Sequence, residues 1–222
     1  FSLGSYFKKH EIAIIDNAEH MNANASNALL KTLEEPGKNN ILFLVTTDPK
    51  NVLETIVSRT QVLYFLPAEK KEIEKMVDTC DMSEKQKKEI VEYSGGVVGK
   101  CYAFCHDEEY LKWYKTEVDN FRSLFFCPFF DKINKIEYIF GDKTDNIATR
   151  SKISDVLQIW LTVLSLYIKE HIGMTNSVVS CPKGVSSTVL LEIEKRIYFA
   201  MDEIERNVHP RLIIEHILLI IP

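Results

Sequence analysis

Residues 12–16 read Ile-Ala-Ile-Ile-Asp, and residues 27–36 read Asn-Ala-Leu-Leu-Lys-Thr-Leu-Glu-Glu-Pro. The first is a short apolar run that ends abruptly in an acid. The second belongs to a helix expected over 23–35. Its stripe is Ala25, Ala28, Leu29, Thr32 and Leu33, and Pro36-Gly37 stops it. Two more apolar runs follow, at 41–45 and 62–65, with a second short helix expected at 51–58. Runs this short and β-rich, separated by helical stretches, predict parallel strands buried on both faces. The order is β-α-β-α-β, the unit of an open α/β sheet. An acid at the carboxyl end of such a strand faces the crevice where these sheets bind ligands. In phosphate-binding ATPases it helps hold Mg²⁺. A capping Asp would give the same local pattern, so Asp16 alone does not decide the chemistry.

Outward from this stretch the pattern becomes wholly helical. Residues 67–110 are polar and punctuated by Pro67. Ser83-Glu84-Lys85-Gln86 fits a capping box, in which Ser83 and Gln86 satisfy each other's backbone donors. That helix is expected to stop at Ser94-Gly95-Gly96, and another starts near Val97 and carries Lys100. Residues 111–222 are more apolar. Leu190, Ile193, Ile197, Met201 and Ile204 recur at steps of three and four and predict one core-facing stripe. The stretch 172–187, with Gly173, Asn176, Pro182 and Gly184, reads as a loop. Pro210 suits the first turn of a last helix, whose apolar face is Ile213, Ile214, Ile217, Leu218 and Ile221. The fold class expected is therefore α/β plus all-α.

Composition narrows the function classes. The 222 residues are 45 % hydrophobic and 27 % charged, an ordinary globular balance. The most apolar stretch, 156–168, contains Gln158, Thr162 and Ser165 and falls short of the roughly 20 apolar residues that cross a bilayer. The sequence opens at Phe1 with no basic segment leading into an apolar one. It is expected to lack a signal peptide and to be the later part of a longer chain. Five cysteines in no CxxC pair point to a reducing, cytoplasmic setting, with Cys101 and Cys105 as buried thiols. A chain that holds DNA by itself is more often basic, and here the net charge is −5, so any DNA contact is expected to be local or shared. The histidines His20, His106, His171, His209 and His216 show no metal-ligand spacing, and no metal site is expected. Trp113 and Trp160 sit among apolar residues and read as core.

Taken together, Ile14-Ile15-Asp16-Asn17-Ala18-Glu19-His20-Met21 and the Asn-Ala-Leu-Leu-Lys-Thr-Leu-Glu-Glu-Pro segment resemble the Walker B strand and following helix of bacterial clamp loaders, the AAA+ subunits of DNA polymerase III. Val45-Thr46-Thr47-Asp48 is similar to the family's sensor 1 strand. Ile56-Val57-Ser58-Arg59-Thr60-Gln61 is similar to its Ser-Arg-Cys motif, with Thr60 in place of Cys. Ser94 to Lys100 resembles the sensor 2 region, and Glu205 to Leu212 the start of the last collar helix.

The resemblance implies a partial AAA+ parallel-sheet module at 1–66, a helical lid at 67–110 and a helical collar domain at 111–222. Collar domains would pack together in a five-subunit assembly, through the 190–204 stripe and the last helix unless these serve the domain's own core. It implies that Arg59 acts in trans as an arginine finger on ATP and Mg²⁺ held at the neighbouring subunit interface, since a guanidinium donates to phosphate in a fixed fork. An ordinary surface salt bridge is the alternative for Arg59. Asp16 and either Thr46 or Thr47 would be nucleotide-associated. So would Lys100, as the sensor 2 cation or else a solvated helix residue. The implied partners are the gamma/tau and delta subunits, the sliding clamp and, through the assembly, primed DNA, all within the DNA-directed DNA polymerase holoenzyme; no membrane is implied.

Two departures bear on activity. The family's hydrolysing subunits place Glu directly after the Walker B Asp, and here that position is Asn17. Glu19, two residues on, is expected to point elsewhere. No G-x-x-x-x-G-K-[ST] phosphate loop occurs, the Gly-Lys pairs at 37–38 and 99–100 lacking its other members. Asn17 favours the delta-prime type, without independent ATPase activity, over the hydrolysing gamma/tau type. A regulatory AAA+ protein outside replication is the remaining alternative.

Overall fold

The structure is a computed structural model and describes residues 11–37, 39–140, 147–174, 178–206 and 208–222. The chain forms two compact units, one ending at Leu66 and one running from Pro67 to Pro222.

In the first unit, strands β1 (Glu11–Ile15) and β2 (Asn40–Leu44) pair in parallel, from Glu11 opposite Asn40 to Ile15 opposite Leu44. Parallel neighbours need a crossover, and helix α1 (Ala23–Glu34) supplies it. Asn22 caps α1, its side chain accepting the Ala25 N–H at 2.9 Å. Beyond β2, Asp48 accepts the Lys50 N–H and caps a 3-10 turn, Pro49–Asn51. Helix α2 (Glu54–Val57) follows, with Ile56 fully buried.

Four expectations for this unit are corrected. The strands are not buried on both faces: Ala13, Ile15, Leu42 and Leu44 are half-buried, whereas Ile12 and Ile14 are 60 % and 68 % exposed. Successive strand residues point to opposite faces, and among the described residues nothing covers the second one. The run at 62–65 forms no strand. An apolar run becomes a strand only with a neighbour to receive its backbone groups, and among the described residues these have none; Phe65 is 94 % exposed. On α1, Ala25 and Ala28 are exposed, Leu29, Thr32 and Leu33 are half-buried, and the residue fully inside is Ser26. The helix expected at 51–58 is also shorter, because Val52 and Leu53 are extended.

The second unit is all helical: α3 (Lys70–Asp78), α4 (Glu84–Ser94), α5 (Val98–His106), α6 (Glu108–Ser123), α7 (Phe129–Ile136), α8 (Ile147–His171), α9 (Ser187–Glu205) and α10 (Pro210–Leu218). The Ser83–Gln86 capping box forms in both directions, and Gly95 ends α4 in the left-handed conformation at φ 59°. Leu190, Ile193 and Ile197 are wholly buried and Ile204 nearly so, with Met201 half-buried, so the 190–204 stripe serves this unit's own core. The last helix does the same through Ile213, Ile214, Ile217 and Leu218, and begins at Pro210 as its sequence requires. Residues 178–186 are irregular, as expected for the loop; Asn176 lies outside the described residues. Trp160 stacks on Phe121 at 4.9 Å, inside the core, and Trp113 packs against that core half-buried. Cys101 is buried and Cys105 half-buried, and burial raises both thiol pKa values, which keeps them protonated and unreactive. No described helix is long and apolar enough to cross a membrane.

Candidate nucleotide-associated site

The carboxyl ends of β1 and β2 meet through backbone hydrogen bonds that outlast the strands. Val45 N–H donates to Ile15 O and Ala18 N–H to Val45 O, both at 2.8 Å. This brings Asp16, Asn17 and Glu19 beside Thr46 and Thr47. Asp16 is exposed, and its Oδ1 accepts the N–H of Asn17 at 3.0 Å. Asn17 takes φ 51°, ψ 53°. Asn is among the few non-glycine residues that tolerate this left-handed region, so the backbone itself gives a reason for Asn here. Its amide has no carboxylate to offer a water.

The turn then carries Glu19 back onto β2. Its Oε1 accepts from the Thr47 hydroxyl at 2.9 Å and the Thr47 N–H at 3.3 Å. Burial would raise the Glu19 pKa. Hydrogen bonds from its own backbone N–H and from Thr47 outweigh that and hold the carboxyl at about 2. Glu19 Oε1 is thus occupied by Thr47. Glu19 is a member of the site, because it fastens the turn after Asp16 to the end of the neighbouring strand. Thr46 is used locally, its hydroxyl exchanging hydrogen bonds with the backbone of Asp48.

Arg59 closes α2. Its backbone N–H donates to Ile56 O at 3.0 Å, so the fully buried Ile56 fixes where it stands. Its Nη1 donates to Thr55 O and its Nη2 to Glu34 Oε1, both at 3.0 Å. The Arg59 side chain remains 41 % exposed. Glu34, at the end of α1, was not singled out in the sequence. A pair 25 residues apart, on two helices, carries no local signal.

Lys100 belongs to the second unit. Its ammonium donates to Tyr114 Oη at 3.1 Å and lies 4.5 Å from the centre of that ring, with Phe104 at 5.9 Å. Burial pushes its pKa down to about 8. It is thus a half-buried cation on aromatic faces, and not the solvated helix residue that was one of its two readings.

Among the described residues no group of three or more His, Cys, Asp and Glu could hold a metal ion. Arg59, with donors left over, fits an anion brought to it.

Residues 1–69 match the family model described as DNA polymerase III, delta subunit. A stretch of 73 residues is 45 % identical to DNA polymerase III subunit delta' of Bacillus subtilis, covering 33 % of this chain and 22 % of that protein. Residues 1–69 are therefore similar to the DNA polymerase III clamp-loader family. The tau subunit of the same organism is 46 % identical over 56 residues, which is 25 % of this chain and 10 % of tau. In these matches the chain spans less than a quarter of each clamp-loader relative. A DNA polymerase III gamma subunit-related protein from Thermotoga maritima overlays 96 % of this chain and 72 % of its own, at TM-score 0.44 and 17 % identity.

Proposed function

We propose that this chain acts as a delta-prime-type clamp-loader subunit, which helps place the sliding clamp on primed DNA and hydrolyses no ATP of its own. Asn17 carries this reading. It occupies the place of the water-orienting carboxylate, and the nearest substitute, Glu19, is committed to Thr47. The match to a delta' protein over 73 residues supports it. Arg59 is the residue through which the chain would act on chemistry, by donating to the γ-phosphate of ATP bound, with Mg²⁺, to the adjacent subunit. Asp16, Thr46 or Thr47, and Lys100 are proposed to be nucleotide-associated, 67–110 to be the lid and 111–222 the collar. The partners proposed are the gamma/tau and delta subunits, the clamp and, through the assembly, DNA.

A gamma/tau-type subunit is the second reading, favoured by the 46 % identity to tau over 56 residues. One assay separates the two. ATPase activity of the full-length protein is measured alone, then with the other clamp-loader subunits, clamp and primed DNA. The delta-prime reading expects no activity alone, stimulation in the mixture, and loss of that stimulation in Arg59→Ala with assembly intact. Robust activity alone would move the chain to the gamma/tau type. Normal rates with Arg59→Ala would remove the finger.

A further inference from the structure

Glu34 is badly placed for the helix that carries it. It is the last residue of α1, where the helix dipole disfavours a carboxylate. It is half-exposed, and exposed ion pairs contribute little to stability. What it does have is one end of the Arg59 guanidinium, at 3.0 Å. The carbonyl of Thr55 holds Nη1 at the same distance. Arg offers five N–H donors in a rigid plane, and this grip uses one on each of two nitrogens. The plane of the fork is therefore fixed while other donors stay at the surface. The base of the side chain is fixed as well, since Ile56 anchors α2 and the Arg59 and Thr60 N–H groups close its end on Ile56 O and Val57 O. A long, flexible cation held at both ends before its anion arrives loses less freedom on meeting it.

We propose that Glu34 is the positioning residue for Arg59, orienting its free N–H donors toward the phosphate of a nucleotide held by the neighbouring subunit. The proposal rests on the arginine-finger reading above. Its alternative is that Glu34 detains Arg59 and must release it, in which case removing Glu34 would speed the reaction.

The test uses the full-length subunit assembled with its ATP-binding partners, clamp and primed DNA, with ATP as the probe. Glu34→Ala is expected to lower kcat for ATP about tenfold with KM within about twofold, a loss of orientation and not of binding. Glu34→Gln, whose amide oxygen still accepts from Nη2, is expected to keep at least about half of the rate, by the retained hydrogen bond. Glu34→Ala combined with Arg59→Ala should be no slower than Arg59→Ala alone. If Arg59→Ala is slow but Glu34→Ala is normal or faster, the positioning role falls and the finger stands. If the two losses add in the double variant, Glu34 acts structurally and the proposal falls. If Arg59→Ala itself is normal, the finger falls and this proposal with it.

Discussion

Lys100 shows what a single side chain costs when its surroundings are mostly apolar. Its ammonium has a phenol and two aromatic faces, and among the described residues no hydrogen bond or ion pair to a carboxylate. Removing it from water disfavours the charged form, which is why burial takes its pKa from the usual 10.5 to about 8. The sign of the consequence follows from proton counting. Between pH 8 and 10.5 the unfolded chain holds a proton at this site that the folded chain has lost, so stability rises with pH there. Below pH 8 both states are charged and the folded state bears the full penalty. Lys100→Met, which fills similar space without the charge, should therefore be more stable than the parent at pH 7, by on the order of 1–3 kcal/mol. The gain should shrink as pH rises from 8 and vanish near 10.5. Urea titrations at pH 7, 9 and 10.5 check this; a gain that does not change with pH would mean that packing, and not charge, sets it. A destabilising cation kept in such a place fits the proposed sensor 2 role, where the charge would serve the assembly at the expense of this unit.

The join between α4 and α5 rests on two glycines that look alike in sequence and differ in consequence. Gly96 has φ +85°, and a Cβ there would stand 2.8 Å from both Ala68 O and Pro67 Cβ. The same glycine accepts the Ala68 N–H on its carbonyl at 2.8 Å, so it pins the entry to α3. Gly99 lies in the first turn of α5 with nothing within 4 Å of its would-be Cβ. Gly96→Ala should cost roughly 1–3 kcal/mol from the left-handed backbone and the clash. Gly99→Ala should be neutral or stabilising by up to about 1 kcal/mol, by helix propensity. Thermal melts of the two variants measure this; equal effects would show that the φ at Gly96 relaxes without penalty. Such devices were legible because they are local: the capping box, the glycine stop and Pro210 each act within a turn or two. The parallel pairing of β1 with β2 was legible too, since apolar runs at that spacing with a helix between them permit little else. What was not legible depended on distant partners. The run at 62–65 has the composition of a strand but no described neighbour to pair with, and the apolar pattern reports only a wish to be buried. Glu19 on Thr47 and Glu34 on Arg59 are joined across 28 and 25 residues. The motif gave the arginine and the strand end; only the fold gives their holders.

The helices at 67–110 and those at 111–222 share one apolar core, and this bears on how any motion would pass along the chain. Tyr93 on α4 and Phe104 on α5 both pack on Tyr114 of α6, at 5.4 and 4.8 Å between ring centres. Phe121, further along α6, stacks on Trp160 of α8. Glu89 of α4, nearly buried, is paired with Lys115 of α6 at 2.5 Å. At the far end Arg211 grips both oxygens of Glu137 and one of Glu215, while buried Lys132 donates to the carbonyls of Ile221 and Pro222. Close-packed side chains do not slide past one another without losing contacts, so this layout favours transmission of movement as a body. It also predicts the unfolding behaviour. Trp113 on α6 and Trp160 on α8 are the chain's two tryptophans, and their fluorescence follows the larger helices. Hydrogen exchange of the α4 amides follows the smaller ones. If the core is one cooperative unit, both probes should give the same free energy of opening in urea, and Phe104→Ala should lower both equally, by about 3–5 kcal/mol. A lid with stability of its own would instead exchange its α4 amides at a lower free energy than the tryptophans report. Phe104→Ala would then lower the first value and leave the second in place. Because Phe104 touches Tyr114 across the sequence boundary at 110, the single-unit outcome is the one this packing requires.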